Sequence, residues 1–123
     1  MTTPNIIGTA NVTGNMFGIQ SLPTTATLGL PAVTQTNTLT KIESVIVTNK
    51  TASTASLTIY VGTGTTYGAG MYYVGYQIAI PPTTTLVPVD RTMSLFIPET
   101  YGIYLLSGTA SAFDVVVCYE TIL

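Results

Sequence analysis

Lys41 to Val61, KIESVIVTNKTASTASLTIYV, decides the class of the fold. In its second half Leu57, Ile59 and Val61 alternate with Ser56, Thr58 and Tyr60. A period of two, dense in β-branched residues, marks a half-buried strand and not a helix. In its first half, Ile42 to Thr48, Ile42 and Ile46 fall on one face and Val45 and Val47 on the other. Apolar residues on both faces need cover on both sides, so this strand is expected in the middle of its sheet. The link from Asn49 to Ala55 is small, polar and rich in turn formers. The two strands are therefore expected to make a hairpin from which the domain is built outward.

On the N-terminal side, residues 1–25 keep neither a helical nor a strand period, because Pro4, Gly8, Gly14, Gly18 and Pro23 interrupt them. They also hold Ile6, Ile7, Val12, Met16, Phe17, Ile19 and Leu22, too apolar for a disordered tail. Two readings fit: an extended arm reaching a neighbour, which is preferred, or an ordinary first strand. The division expected is thus an arm over 1–25 and a β-sandwich over 26–123. Across that boundary, Thr25 to Val33 alternates as a strand that Pro31 ends or places at an edge.

On the C-terminal side, Gly62 to Gly75 carries closely spaced glycines and then tyrosines, expected as a long, flexible loop with an aromatic tip. Strands follow at Tyr76–Ile80, around Leu86–Val89, at Met93–Ile97 with Met93, Leu95 and Ile97 inward, and at Gly102–Leu106. The last has Phe113, Val115, Val117 and Tyr119 alternating with Asp114, Val116, Cys118 and Glu120. About seven or eight short strands at hairpin spacing, with no helical period, predict an antiparallel sandwich, Ig-like or jelly-roll.

Charge is the unusual feature of the composition. Only 7% of the 123 residues are charged, against about 25% in a typical domain. The set is Lys41, Glu43, Lys50, Asp90, Arg91, Glu99, Asp114 and Glu120. A surface this neutral suits a protein packed against copies of itself or a partner; a Thr-rich, polar but uncharged sandwich is the plain alternative. Three basic residues and a net charge of −2 give no cationic face for nucleic acid. No apolar run approaches the roughly 18 residues of a membrane span, and the N-terminus has no secretory pattern. The single Cys118 has no internal disulfide partner and is expected as a small core hydrophobe, which fits synthesis in a reducing cytoplasm.

The chain has no histidine, which removes His-activated nucleophiles and the commonest zinc ligand. Glu43, Asp114 and Glu120 fall on expected outward faces and form no run, so paired catalytic carboxylates are not expected. Asp90-Arg91 and Glu99 flank one strand, where a capping Asp or an ion pair is expected, with a subunit contact as the sharper alternative. The glycines of 62–70 lack the Lys-Ser/Thr and helix of a phosphate cradle. The tyrosines Tyr67, Tyr72, Tyr73 and Tyr76 are the recognition candidates, since tyrosine joins large apolar area to a polar tip. No enzymatic activity, cofactor or metal is expected.

The C-terminal half also carries an ordered set of short motifs. They are Tyr76-Gln77-Ile78-Ala79-Ile80-Pro81-Pro82 leading to Thr85-Leu86-Val87, Arg91-Thr92 before a strand ending Ile97-Pro98-Glu99, and Cys118-Tyr119-Glu120. With Asn5-Ile6-Ile7-Gly8 and the strand Ile42–Asn49, this order resembles the small β-sandwich virion structural proteins of tailed bacteriophages, over about three quarters of the chain. Two departures are Thr100-Tyr101-Gly102 in place of the family's Gly-Asp turn and Cys118 in place of Ser. The resemblance implies a non-enzymatic virion protein made in the host cytoplasm, foremost a capsid decoration (cement) protein. Its implied partners are the major capsid protein or another virion protein and copies of itself, a trimer favoured, with neither nucleic acid nor membrane. A neck, tail or fibre component, or a receptor- or carbohydrate-binding module, are the alternatives. The interface residues expected are Ile6, Ile7, Met16, Phe17, Tyr67, Met71, Tyr72 and Tyr73.

Overall fold

The computed structural model describes residues 12–122, which form nine strands and one 3₁₀ turn. The strands are β1 (Val12–Ile19), β2 (Thr27–Leu28), β3 (Leu39–Asn49), β4 (Ala55–Gly62), β5 (Tyr72–Ile80), β6 (Thr85–Val89), β7 (Leu95–Ile97), β8 (Gly102–Ser107) and β9 (Phe113–Ile122). All pairings are antiparallel, and one set is nested: β4 with β5, β3 with β6 and β7, β2 with β8, β1 with β9; β3 with β9 and β4 with β8 then join these into sheets. This long folded ribbon rolls into two sheets. The front sheet runs β1-β9-β3-β6 with β7 also on β3, and the back sheet runs β2-β8-β4-β5. The architecture is a β-sandwich of jelly-roll type.

Lys41–Val61 makes its two strands, but not a hairpin. β3 lies in the front sheet and β4 in the back one. Ile42, Val45 and Val47 of β3 and Leu57, Ile59 and Val61 of β4 all belong to the one buried core. Both strands have strong apolar faces, and these are buried more completely across the sandwich than side by side in one sheet. Asn49 closes the arch between them. It is fully buried; its amide nitrogen donates to the carbonyls of Ser53 (2.9 Å), Ile80 (3.0 Å) and Pro81 (3.1 Å). Its Oδ1 accepts from the Thr51 N–H (2.9 Å) and hydroxyl (2.7 Å).

β3 is central, between β9 and the β6/β7 pair, as expected. The reason is different. Its register against β9 shifts between Ile42 and Ser44, so Ile42 joins Val45 and Val47 in the core while Ile46 is only half-buried. A bulge at Glu43 thus resets the period of two. In β9, Phe113, Val115 and Val117 are buried as expected. Burying each such side chain contributes about 1.5–3 kcal/mol.

The boundary expected at 25/26 does not hold. β1 pairs with β9 in an unbroken register from Val12↔Ile122 to Ile19↔Val115. Beyond it the Leu22 N–H donates to the Phe113 carbonyl (2.8 Å), with Leu22 fully buried. Residues 12–25 are therefore part of the sandwich. Ile6 and Ile7 lie outside the described residues. Gly14 and Gly18 hide this strand in the sequence; both sit on the outer side of an edge strand, where a side chain would meet next to nothing. The strand expected over Thr25–Val33 shortens to Thr27–Leu28. Met93 is not inward on a strand but exposed in the 3₁₀ turn Arg91–Met93.

Candidate functional site

The outer side of the back sheet gathers five tyrosines from three strands and a loop. Tyr60 on β4 lies directly opposite Tyr104 on β8 and Tyr73 on β5. The rings of Tyr60 and Tyr104 stack at 5.3 Å, and Tyr73 meets Tyr60 edge-on at 6.4 Å. Tyr67 folds down from the β4–β5 loop to stack on Tyr73 at 4.1 Å while touching Tyr60 edge-on at 5.4 Å. Tyr76 adds a tilted contact with Tyr73 at 4.7 Å. It reaches that face because β5 pairs irregularly with β4. Gln77 has φ 49°, and its N–H donates to the Thr58 hydroxyl at 3.2 Å. Each aromatic pair is worth about 0.5–1.5 kcal/mol beyond area burial.

The β4–β5 loop is tied down at several points, unlike the free loop the glycines suggested. The Tyr60 hydroxyl donates to the Gly64 carbonyl (2.9 Å) and the Tyr101 hydroxyl to that of Gly70 (3.3 Å). Met71 packs over Gly62, where a Cβ would come within 2.7 Å of its Cγ, and the Gly68 N–H points at its sulfur. Glycine at 62 thus lets Met71 close the loop. Tyr60 and Tyr104 lie buried beneath, while Tyr67, Tyr73 and Tyr76 remain 42%, 44% and 60% exposed. Burial, and then the neighbouring phenols, push the hydroxyls of Tyr60 and Tyr73 above the usual tyrosine range. Tyr104 is raised by burial.

This face carries no charge. Lys41 and Glu43 lie on β3, Asp114 and Glu120 on β9, Asp90 and Arg91 between β6 and β7, and Lys50 and Glu99 in the β3–β4 and β7–β8 connections that pass between the sheets. From Thr51 to Val89 there is no charged residue, and the one amide side chain is Gln77. The front sheet instead mixes exposed Met16, Val87 and Phe96 with the Lys41–Glu43 ion pair (3.5 Å).

A likeness to known structures follows this architecture. A chain of the T13 viral particle of infectious bursal disease virus superposes with a TM-score of 0.55, over 93% of this chain and 31% of that one. At 7% identity the likeness is one of fold. The chain thus spans less than a third of the length of that viral chain. The VP2 subviral particle of the same virus gives 0.49 at 10% identity, over 93% and 32% of the two chains. A chain of Bacillus endospore appendages, described as a family of disulfide-linked pili, gives 0.49 at 14% identity, over 99% and 95%. No protein-family model and no curated protein sequence matches.

Of the expected interface residues that the structure describes, the fold brings Tyr67 and Tyr73 together and separates Met16, Phe17, Met71 and Tyr72 from them. Met71 is tucked into the loop. Tyr72 is exposed but pairs with Val61 at the end of the sheet and joins no stack. Met16 and Phe17 are on β1 in the other sheet, Met16 exposed on its outer side and Phe17 half-buried. Tyr60 and Tyr104, which support the cluster, are not among the expected interface residues: the alternation in β4 puts Tyr60 on the face opposite Leu57, Ile59 and Val61, but nothing local to β4 pairs it with a tyrosine of β8. Cys118 is not in the core: it is half-buried on the outer side of β9, between Met16 and Ser44 in register.

Among the charged groups, Asp90 caps the 3₁₀ turn, accepting from the Thr92 N–H (2.9 Å) and hydroxyl. Glu99 accepts from the Asn37 N–H at 3.2 Å. Glu43 pairs with Lys41 (3.5 Å), and the Glu120 carboxyl beside them is placed to share its proton with Glu43 in a bond. That bond lowers Glu43 below, and raises Glu120 above, the usual glutamate range. Asp114 is held low first by the Ser21 N–H (2.9 Å) and then by Lys50, whose Nζ lies 2.9 Å away.

Proposed function

We propose that the chain is a non-enzymatic structural protein of a bacteriophage virion, acting as a capsid decoration protein that stabilises contacts between neighbouring capsid subunits. The observation that carries this reading is the ordered, charge-free tyrosine face of the back sheet. Aromatic enrichment with charge depletion is the composition of the core of a protein–protein contact. Its rings already hold one another in place, so little side-chain freedom is lost when a partner covers them. Sugar recognition is less well served, because Gln77 is the one amide and no carboxylate lies between Thr51 and Val89 to hold a ring of hydroxyls. The absence of histidine and the motif order shared with phage virion proteins support the same reading, and a jelly roll is compatible with it. Each contact can be weak, since many symmetric copies on one shell raise the effective concentration of the next.

The test is co-sedimentation with capsids of the virus that carries the chain, prepared without it. Saturable binding and greater resistance of the shell to heat are expected. Association with tails alone would overturn the decoration role.

A further inference from the structure

We propose that the tyrosine face of the back sheet pairs with the same face of a second copy of this chain, about a two-fold axis. This deepens the reading of that face as a subunit contact and names its occupant.

Three observations converge. The first is charge. A two-fold contact sets the centre of a face against itself, so any charge there meets its like. This face has none: the charged residues of each copy sit on the opposite sheet or in the connections at the ends of the sandwich. With sheets about 10 Å apart, the charged sides of two copies stacked back to back lie well beyond a Debye length of about 8 Å.

The second is chemical self-complementarity. A phenol hydroxyl both donates and accepts, and an aromatic ring stacks on another of its kind, so Tyr67, Tyr73 and Tyr76 are suitable partners for themselves. The third is shape and size. β5 is the outer strand of this sheet, but its register against β4 shifts twice and Gln77 has a positive φ. A strand this irregular is a poor template for edge-to-edge addition, which favours the face over this edge. Strands β4, β5 and β8, at about 4.8 Å spacing, present about 400 Å². The folded-down loop Thr63–Met71 extends this towards the roughly 600 Å² per partner of the smaller specific interfaces.

The experiment is analytical ultracentrifugation of the full chain across the micromolar range. A reversible dimer is expected. Tyr76→Ser should weaken it about tenfold, and Tyr76→Glu, which sets like charges across the axis, should abolish it. Met16→Ser, on the other sheet, should leave it unchanged. Tyr76 is exposed, so circular dichroism and the melting temperature should confirm that each variant is folded. A monomer at every concentration, a trimer, or a dimer indifferent to both Tyr76 substitutions would overturn the proposal. The same proteins are then sedimented with capsids. If the chain is monomeric and Tyr76→Glu abolishes capsid binding, the face belongs to the capsid protein: the pairing fails and the virion reading stands. If the Tyr76-dependent dimer forms but no capsid binds, the pairing stands and the decoration role fails.

Discussion

Replacing Asn49 by alanine tests how the two sheets are joined. Asn49 is the buried polar residue at the arch, and its side chain serves three carbonyls, one N–H and one hydroxyl. Of these, the Ile80 carbonyl is the partner in a fully buried bond, and the others are half-buried. An orphaned buried acceptor costs about 1–3 kcal/mol, and each lost half-buried bond about 0.5–1.5 kcal/mol where water replaces it incompletely. Asn49→Ala should therefore destabilise by about 3 kcal/mol, a fall in Tm of about 10–15 °C for a domain of this size. Asn49→Asp separates hydrogen bonding from shape. It keeps the acceptor towards Thr51 but turns an oxygen towards carbonyl oxygens, which raises the carboxyl pKa in the folded state above its unfolded value of about 3.9. A raised folded pKa means stability that is present below the unfolded pKa and lost as pH rises through the folded one. The deficit of Asn49→Asp relative to wild type should thus be large at neutral pH and shrink in acid, while that of Asn49→Ala stays constant. Urea unfolding followed by circular dichroism at the two pH values measures both. If Asn49→Asp ran parallel to Asn49→Ala at all pH values, the side-chain amide would not be the clasp. The outcome bears on the tyrosine face as well, since Asn49 holds the Ile80 and Pro81 carbonyls where β5 leaves the sheet.

Three further outcomes are expected. The raised Glu120 carboxyl contributes stability below the ordinary glutamate pKa that is lost as pH rises through its folded value, whereas Glu120→Gln keeps a permanent donor to Glu43. Urea midpoints of that variant should gain on wild type as pH rises from acid to neutral, and parallel profiles would count against the shared proton. Tyr60→Phe removes the hydroxyl that holds the Gly64 carbonyl, about 1 kcal/mol, and should speed proteolysis within Thr63–Gly70; an unchanged cleavage rate would show that Met71 and Tyr101 suffice. Asp90 is held low first by the Thr92 hydroxyl and then by its N–H, so its contribution is present above the unfolded pKa and lost as pH falls. Asp90→Ala should lower Tm at neutral pH and less so in acid; an equal effect at both would sink the capping role.

How much of this was legible in the chain depends on the range of the interaction. The alternation at Leu57, Ile59 and Val61 and at Phe113, Val115 and Val117 assigns a buried face to β4 and to β9 without reference to any partner. The neutrality of residues 51–89 likewise needs no fold to be seen. Other readings failed where geometry broke the pattern or hid it. The bulge at Glu43 moved Ile46 out of the core, and outward glycines masked β1.

By itself, then, the amino-acid sequence determined an all-β class, the inward sets of its regular strands, and a long stretch without charge. Tertiary structure alone decided that β3 faces β4 across the core instead of lying beside it, that Tyr60, Tyr67, Tyr73, Tyr76 and Tyr104 meet, and that Met16 and Phe17 sit on the other sheet from them. The physical reason is that a period of two specifies which way a side chain points but not which strand lies next to it. Every backbone offers the same hydrogen bonds to any neighbour, so pairing is settled only when apolar faces from distant parts of the chain are buried together.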